Sequence, residues 1–441
     1  MKVLMFGWEY APQHTGGLGV VCKELANELS KRHEVSFMMP NARKITERVE
    51  KIVEKEVATT STQSTNIVDV SQPVEAKLDA AVRKYQPAYI NLEADLLPYV
   101  PAELFREAPA IYQVPKAQTK VTDSVKAMRA IPLTGTYGKK LNAEVTKYTL
   151  AASTYYEEEE YDIIHAHDWM GITAGLLAKA ILKVPLIAHI HSTELDRNGA
   201  GGDQAIKDKE RKGLELADAI ICVSEQTKKS IVKAYHIDAR KIQVIPNATT
   251  WRNHKPATAL KKVPEITFLG RLTHQKGPGK ILDLARELEN TGHQFSYNII
   301  GDGYLKEQLQ ATAAHLNLSD QVDFTGFLEP EALKKKLKKS SLVVIPSVAE
   351  PFGLVALEAT AMGIPVMISA NAGVNEFMPF KTFETWDLYS MKQLAIALLS
   401  NPEKTMSYVQ TCQEALRELK WSKSARAVST LYQKLIKEEK S

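Results

Sequence analysis

The sequence predicts an α/β protein built from two doubly wound parallel sheets, and three observations carry that prediction. Strand-like apolar runs alternate with segments of helical period along most of the chain. The alternation comes in two consecutive series, separated by WRNHKPATALKKVPE (251–265), which is polar, holds two prolines and has no periodicity. At roughly 100–200 residues per domain, 441 residues leave room for two or three domains. Consecutive βαβ series fold with parallel strands and helices on both faces.

KVLMFGW (2–8) reads as a strand, QHTGGLG (13–19) as a glycine-rich turn, VVCKELANELSKRH (20–33) as an amphipathic helix and EVSFMMP (34–40) as the next strand. The pattern then weakens. KITERVEKIVEKEV (44–57) resembles a charged helix and ATTSTQSTN (58–66) a polar linker, so about 45–135 reads as an insertion. Alternation resumes with YDIIHAHDW (161–169) as a strand and its end, MGITAGLLAKAIL (170–182) as a helix and VPLIAHIHST (184–193) as a strand. KDKERKGLELA (207–217), DAIICVS (218–224), EQTKKSIVKAYH (225–236) and KIQVIPNAT (241–249) complete the first series. The second runs from ITFLGRL (266–272) through SYNIIGDG (296–303), VDFTGFL (322–328) and SLVVIPS (341–347) to IPVMIS (364–369), with helical segments between. The tail from about 386 reads as helices, and KWSKSARAVSTLYQKLIKE (420–438) is amphipathic. The expected division is 1–250, 262–420 and a terminal helix over 421–441.

Bulk composition narrows the function classes. The chain is 44% hydrophobic and 24% charged, with a net charge of +4. Mild basicity suits an anionic small molecule or surface and falls far short of a nucleic-acid footprint. Cys22, Cys222 and Cys412 are far apart without CxxC spacing, which argues against a disulfide framework or zinc knuckle and for a reducing cytoplasm. Trp8, Glu9 and Pro12 interrupt any signal-peptide core, and no run of about 18 apolar residues marks a membrane span. Peripheral membrane contact stays open.

In doubly wound sheets the loops past the strands' carboxyl ends face the ligand, so polar residues there are the candidates. Gly16 and Gly17 open the first helix, where backbone amides are free for an anion or a sugar oxygen, although a plain turn explains a lone glycine pair equally well. The GxGxxG spacing of dinucleotide sites is absent. In HAHDW, His165 and His167 point the same way and Asp168 the other; a metal would need a third ligand, and none stands nearby in sequence. A structural role is the default for these and for His189 and His191. Arg271 and Lys276, five apart in GRLTHQKG, would suit a diphosphate. GDG (301–303) reads as a turn in which Asp302 bonds its own backbone, and EEEE (157–160) and KKKLKK (334–339) as solvated faces.

EPFGLVALE (350–358) is the strongest local signal. Pro351 keeps Glu350 extended, and a helix starting near Gly353 would aim the amides of Gly353, Leu354 and Val355 into the crevice. Two carboxyls, Glu350 and Glu358, beside an anion-friendly helix start make electrostatic sense when they bind hydroxyls while amides and cations take phosphate. A nucleotide sugar offers that combination.

These segments together resemble the retaining glycosyltransferases of the GT-B fold, family 4 type, including glycogen-synthase-like members. WEYAPQHTGGLG, DIIHAHDW, HIHS, VIPNAT, GRLTHQKG, IIGDG, FTGFL and EPFGLVALEATAMGIPV occur in the family's order. The resemblance implies two Rossmann-like domains facing a cleft, the first on the acceptor side and the second holding the donor, with the last helix crossing back. It implies that Arg271 and Lys276 hold the donor diphosphate and that Glu350 contacts the donor sugar hydroxyls. The amides of Gly353, Leu354 and Val355 would lie near sugar and phosphate, with Phe352 in the same donor-binding step, and Glu358 on the ribose. His167 would sit beside the sugar and its transition state, Gly16 and Gly17 at the phosphate or acceptor, and FTGFL at the base. No metal or other cofactor is implied, because Arg, Lys and the helix dipole supply the charge. The chain carries His14 and Phe352 where bacterial-type glycogen and starch synthases tend to have Lys and Cys.

The expected activity is transfer of a hexose, first of all glucose, from a UDP- or ADP-sugar to a glycan, with an α-glucan as the first acceptor. A lipid or cell-surface glycan is the alternative acceptor. A non-catalytic nucleotide-sugar-binding protein is the rival of another class, and a UDP-sugar 2-epimerase shares the two-domain plan but lacks reason for the E-x7-E and GRLxxQKG segments.

Overall fold

The computed structural model describes residues 1–11, 16–41, 65–71, 77–81, 132–133, 137, 140–251, 253–256, 262–289, 291–292, 294–385 and 387–439. The charged helix expected at 44–57, and the linker after it except for its last two residues, lie outside these.

The first series becomes one seven-stranded sheet in the order β3-β2-β1-β4-β5-β6-β7. Its strands are β1 (Lys2–Phe6), β2 (Glu34–Met39), β3 (Asn66–Asp69), β4 (Ile163–His167), β5 (Leu186–Ile190), β6 (Ala219–Cys222) and β7 (Ile242–Val244). Helices α1 (Gly17–Ser30), α2 (Leu141–Tyr156), α3 (Asp168–Leu182), α4 (Glu194–Asn198), α5 (Gln204–Leu216) and α6 (Glu225–Tyr235) cover its faces. The second series becomes a six-stranded sheet in the order β10-β9-β8-β11-β12-β13, comprising β8 (Glu265–Leu269), β9 (Ser296–Ile300), β10 (Val322–Gly326), β11 (Leu342–Ile345), β12 (Val366–Ser369) and β13 (Lys381–Phe383). Its helices are α7 (Gly279–Glu289), α8 (Lys306–His315), α9 (Pro330–Leu337), α10 (Leu354–Ala361), α11 (Leu388–Ser400) and α12 (Pro402–Leu416), and α13 (Trp421–Glu439) closes the chain. Among the described residues every strand pairing is parallel. The fold class is therefore the α/β, doubly wound pair that the alternation predicts. Central strands are buried on both sides, as Val3, Leu4, Met5 and Phe6 are, which is why they read as continuous apolar runs rather than alternating ones.

Differences fall at short or edge elements. The edge strands β3 and β13 have four and three residues and leave no periodic signal. α1 begins at Gly17, with Gly16 extended before it, so the second glycine lies in the helix rather than in the turn. α4, five residues long, is held by a capping box between Thr193 and Asp196.

Two features set the halves against each other. α13 packs on α1: Trp421, Val428, Leu431 and Tyr432 share a buried cluster with Leu25, Ala26 and Leu29. The Ser424 hydroxyl donates to the Pro246 carbonyl at 2.7 Å, and Ser429 Oγ pairs with His33 Nε2 at 2.8 Å. At the cleft, Ser224 Oγ donates to the Pro351 carbonyl at 2.8 Å, and the Glu376 carboxylate accepts from the amides of Glu225 (2.6 Å) and Gln226 (2.8 Å) at the start of α6. Among the described residues no helix is long and apolar enough to cross a membrane.

Candidate active site

Strand order reverses between β1 and β4 in one sheet and between β8 and β11 in the other, and these are the crevices where such sheets bind ligands. The segments following the four strands are 7–17, 167–168, 270–276 and 346–353. Gly16, Arg271, Lys276, Glu350, Phe352 and Gly353 lie in them, with His167 ending β4 and Gly17 opening α1; Leu354, Val355 and Glu358 lie in α10, and FTGFL (324–328) lies at the end of β10, outside the four segments. The two halves meet there: a side chain on Gly17 would place its Cβ 3.3 Å from Leu354 Cδ1.

On the second half, Glu350 is 7% exposed and both its oxygens are engaged. Lys276 Nζ donates to them at 2.9 and 2.8 Å, and Ser347 Oγ donates at 2.9 Å. The Glu350–Gly353 turn is pinned to the next segment by a bridge between Glu350 and Ala372 and by amide bonds from Gly373 to Glu350 and from Val374 to Phe352, each 2.9 Å. Gly353 has φ +118°, a region costly for any residue with a Cβ, and one there would meet Val374 Cγ1 at 3.1 Å. That conformation turns the chain into α10. The first backbone bond of the new turn runs from the Ala356 amide to the Gly353 carbonyl, so the amides of Gly353, Leu354 and Val355 precede it at the helix's positive end. The Phe352 ring lies in the core beside Phe377, which leaves its backbone and not its ring for the cleft. Glu358 is half-buried one turn on, and burial pushes its carboxyl up to about 7. Arg271 is exposed and donates to Gln275 Oε1 at 3.3 Å, and its charge reaches Glu9 of the other half. The Asp302 carboxylate accepts from the Gly303 amide at 2.8 Å, the turn expected for GDG.

On the first half, His167 ends β4 and is fully buried. Its Nδ1 pairs with His191 Nε2 at 2.9 Å, and its Nε2 has no partner. Asp168 takes φ +50° and its carboxylate accepts the His191 amide at 2.8 Å, tying the ends of β4 and β5 together. Burial holds His167 well below the ordinary histidine range, and the neighbouring imidazoles add to the effect. His165 stacks on His167 at 4.6 Å and pairs through Nε2 with His189 Nδ1 at 3.0 Å. No third ligand stands nearby in sequence, but the register His167↔His189 brings one from β5, and nitrogens of His165, His167 and His189 all lie within 4.8 Å. The three rings are nearly parallel, at 22–31°, so their in-plane lone pairs run side by side rather than converging on one ion.

Sequence reading missed Glu9. Tyr137 donates to its Oε1 at 2.6 Å, while Oε2 is buried without a partner, 2.9 Å from where a Cβ on Gly16 would stand. Burial raises this carboxyl, with the Tyr137 bond, the Gly19 amide and the charge of Arg271 pulling the other way. Glu9 thus faces both the glycine loop and the cation of the other half. Its position directly past β1 was the available signal; its partner Tyr137, 128 residues on, was not readable.

Residues 114–249 match the Glycosyltransferase Family 4 model and residues 249–379 the Glycosyl transferases group 1 model. An uncharacterized glycosyltransferase of Methanocaldococcus jannaschii is 33% identical over 245 residues, 52% of this chain and 62% of that protein. A glycogen synthase of Mycobacterium tuberculosis is 29% identical over 224 residues, 49% of this chain and 53% of that protein. The chain thus spans less than two thirds of either relative. Among solved structures, sucrose-phosphate synthase from Thermosynechococcus elongatus superposes with a TM-score of 0.72 at 18% identity, covering 99% of this chain and all of that one. Anabaena HepE in complex with UDP and glucose gives 0.65 at 16% identity with the same coverage.

Proposed function

The chain belongs to the family 4 glycosyltransferases of the GT-B fold, and on that premise we propose that it transfers glucose from UDP-glucose, with retention, to an uncharged glycan hydroxyl. One observation carries this reading: a helix start with free backbone amides follows a carboxyl, Glu350, whose two oxygens are already engaged by Lys276 and Ser347, and Arg271 lies on the same loop as Lys276. The diphosphate takes the amides of α10 and Arg271 and shares Lys276 with Glu350. These groups stabilise the charge that grows on the leaving phosphate, with no metal in that role. Glu350 then accepts from sugar hydroxyls, and ionised Glu358 from the ribose. Bound by Lys276 and Ser347, Glu350 is a poor nucleophile, which favours front-face attack: the bond from C1 to the diphosphate breaks, the acceptor oxygen bonds C1 from the same side, and its proton passes to the departing phosphate. Neutral His167, buried at the end of β4, places no cation beside an oxocarbenium-like centre. The unpartnered Glu9 oxygen favours a hydroxyl over a phosphate on the acceptor. Similarity to a glycogen synthase supports an α-glucan first, with a lipid-linked or cell-surface glycan as the second acceptor.

The test is release of nucleoside diphosphate from a panel of nucleotide sugars, with and without maltooligosaccharide. We expect acceptor-dependent UDP release that falls at least about 100-fold in Lys276→Ala and Glu350→Ala. Release unchanged in both variants overturns the site; binding of donor with no release for any acceptor returns the protein to the binding-module class.

A further inference from the structure

Four histidines form one block beneath the cleft. His165 and His167 lie on the same face of β4, stacked at 4.6 Å, and His189 and His191 stack at 4.2 Å at the end of β5. Two cross-strand rungs join the pairs, His167 Nδ1 to His191 Nε2 at 2.9 Å and His165 Nε2 to His189 Nδ1 at 3.0 Å. The far end of the block reaches α13: the Tyr432 hydroxyl, itself fully buried, lies 2.5 Å from His165 Nδ1.

We propose that Tyr432 is a positioning residue for the active site, its hydroxyl ordering the protons of the His165–His189 rung on which the ring of His167 stacks. The kinetic part of this inference rests on the glycosyltransferase reading; the ordering itself does not.

A neutral imidazole has one donor and one acceptor nitrogen, so a chain of them must be ordered in one direction or the other. Burial keeps these four rings neutral. If Tyr432 donates to His165 Nδ1, then His165 Nε2–H donates to His189 Nδ1, and one donor, His189 Nε2–H, is left over. In the reverse order both the Tyr432 proton and the His189 Nε2 lone pair go unmatched in the interior. Unmade buried bonds are costly, so the first order prevails. It fixes His165 with its proton on Nε2, which locks the ring that supports the face of His167.

The hydroxyl that sets the order is delivered by a helix following the second sheet and fastened to the first by Ser424–Pro246 and Ser429–His33. The register of the last helix is thereby read at the sugar-binding end of β4. Tyr432→Phe removes one oxygen and keeps the packing.

Imidazole ¹⁵N–¹H spectra of ¹⁵N-histidine-labelled protein test this without substrate. Wild type should show His165 protonated at Nε2 with an unprotonated, hydrogen-bonded Nδ1; Tyr432→Phe should lose that signature. In the transfer assay Tyr432→Phe should lower kcat about 3–10-fold and leave donor KM within about twofold. Leu435→Ala, which loosens the same helix without touching the hydroxyl, should lower Tm and keep the wild-type imidazole spectrum. Wild-type His165 protonated at Nδ1, or an unchanged spectrum and kcat in Tyr432→Phe, overturns the proposal. If wild type transfers no sugar to any acceptor, the functional reading falls and the spectra alone decide the ordering.

Discussion

Glu358 is a carboxyl whose titration falls near neutral pH. Its carboxyl sits at about 7 because burial penalises its charged form. If Glu358 is the ribose acceptor proposed above, its ionised form accepts more strongly than the neutral one, so donor KM should rise about tenfold as pH falls from 8 to 6, and the dependence should flatten in Glu358→Gln. Stability of the free protein runs the opposite way. A carboxyl whose folded pKa lies above its unfolded value near 4.5 contributes stability that is full below that value and lost as pH rises through about 7. The Tm of wild type relative to Glu358→Gln should therefore fall between pH 5 and 8, by calorimetry. A KM that ignores pH in this range would remove Glu358 from the donor site.

Single elements decide how the halves are joined. At the start of α6, one hydroxyl does two tasks: Ser224 Oγ accepts from the Thr227 amide as the helix cap and donates across the cleft to Pro351. The Glu376 carboxylate adds two amide bonds and its charge at the positive end of the same helix. Glu376→Ala should cost about 1 kcal/mol in denaturant unfolding and open the cleft, visible as a larger radius of gyration by small-angle scattering. An unchanged radius would mean that α13 alone sets the angle between halves. The α10 start belongs to the same scale. Its conformation needs a glycine at position 353, and EPFG in front of an apolar run made that start readable from sequence. The pairing of Lys276 with Glu350 was not, because the two residues are 74 positions apart and on different strands' loops.

Across the whole molecule, α13 is the element that covers the α1 face of the first half. Removing residues 421–441 would expose the α1 face at Leu25 and Leu29 and delete buried Trp421, Val428, Leu431 and Tyr432. At about 1.5–3 kcal/mol per large apolar side chain this is on the order of 10 kcal/mol, comparable to a domain's whole stability. The truncated chain should bind a hydrophobic dye and lose its cooperative unfolding transition; cooperative unfolding near the wild-type Tm would show that α13 is an accessory.

The sequence by itself determined the two sheets, the succession of their main strands along the chain and which loops follow them, because hydrophobic period and glycine or proline punctuation are local properties of the chain. It also put Arg271, Lys276, Glu350 and the α10 amides at strand ends, where ligands of such sheets bind. Only the tertiary structure decided what those groups face. Strand register brought His189 beneath His167, a helix from the end of the chain brought Tyr432 to His165, and closure of the cleft set Glu9 before Arg271. These are contacts between residues far apart in the chain, fixed by packing, and no local pattern encodes them.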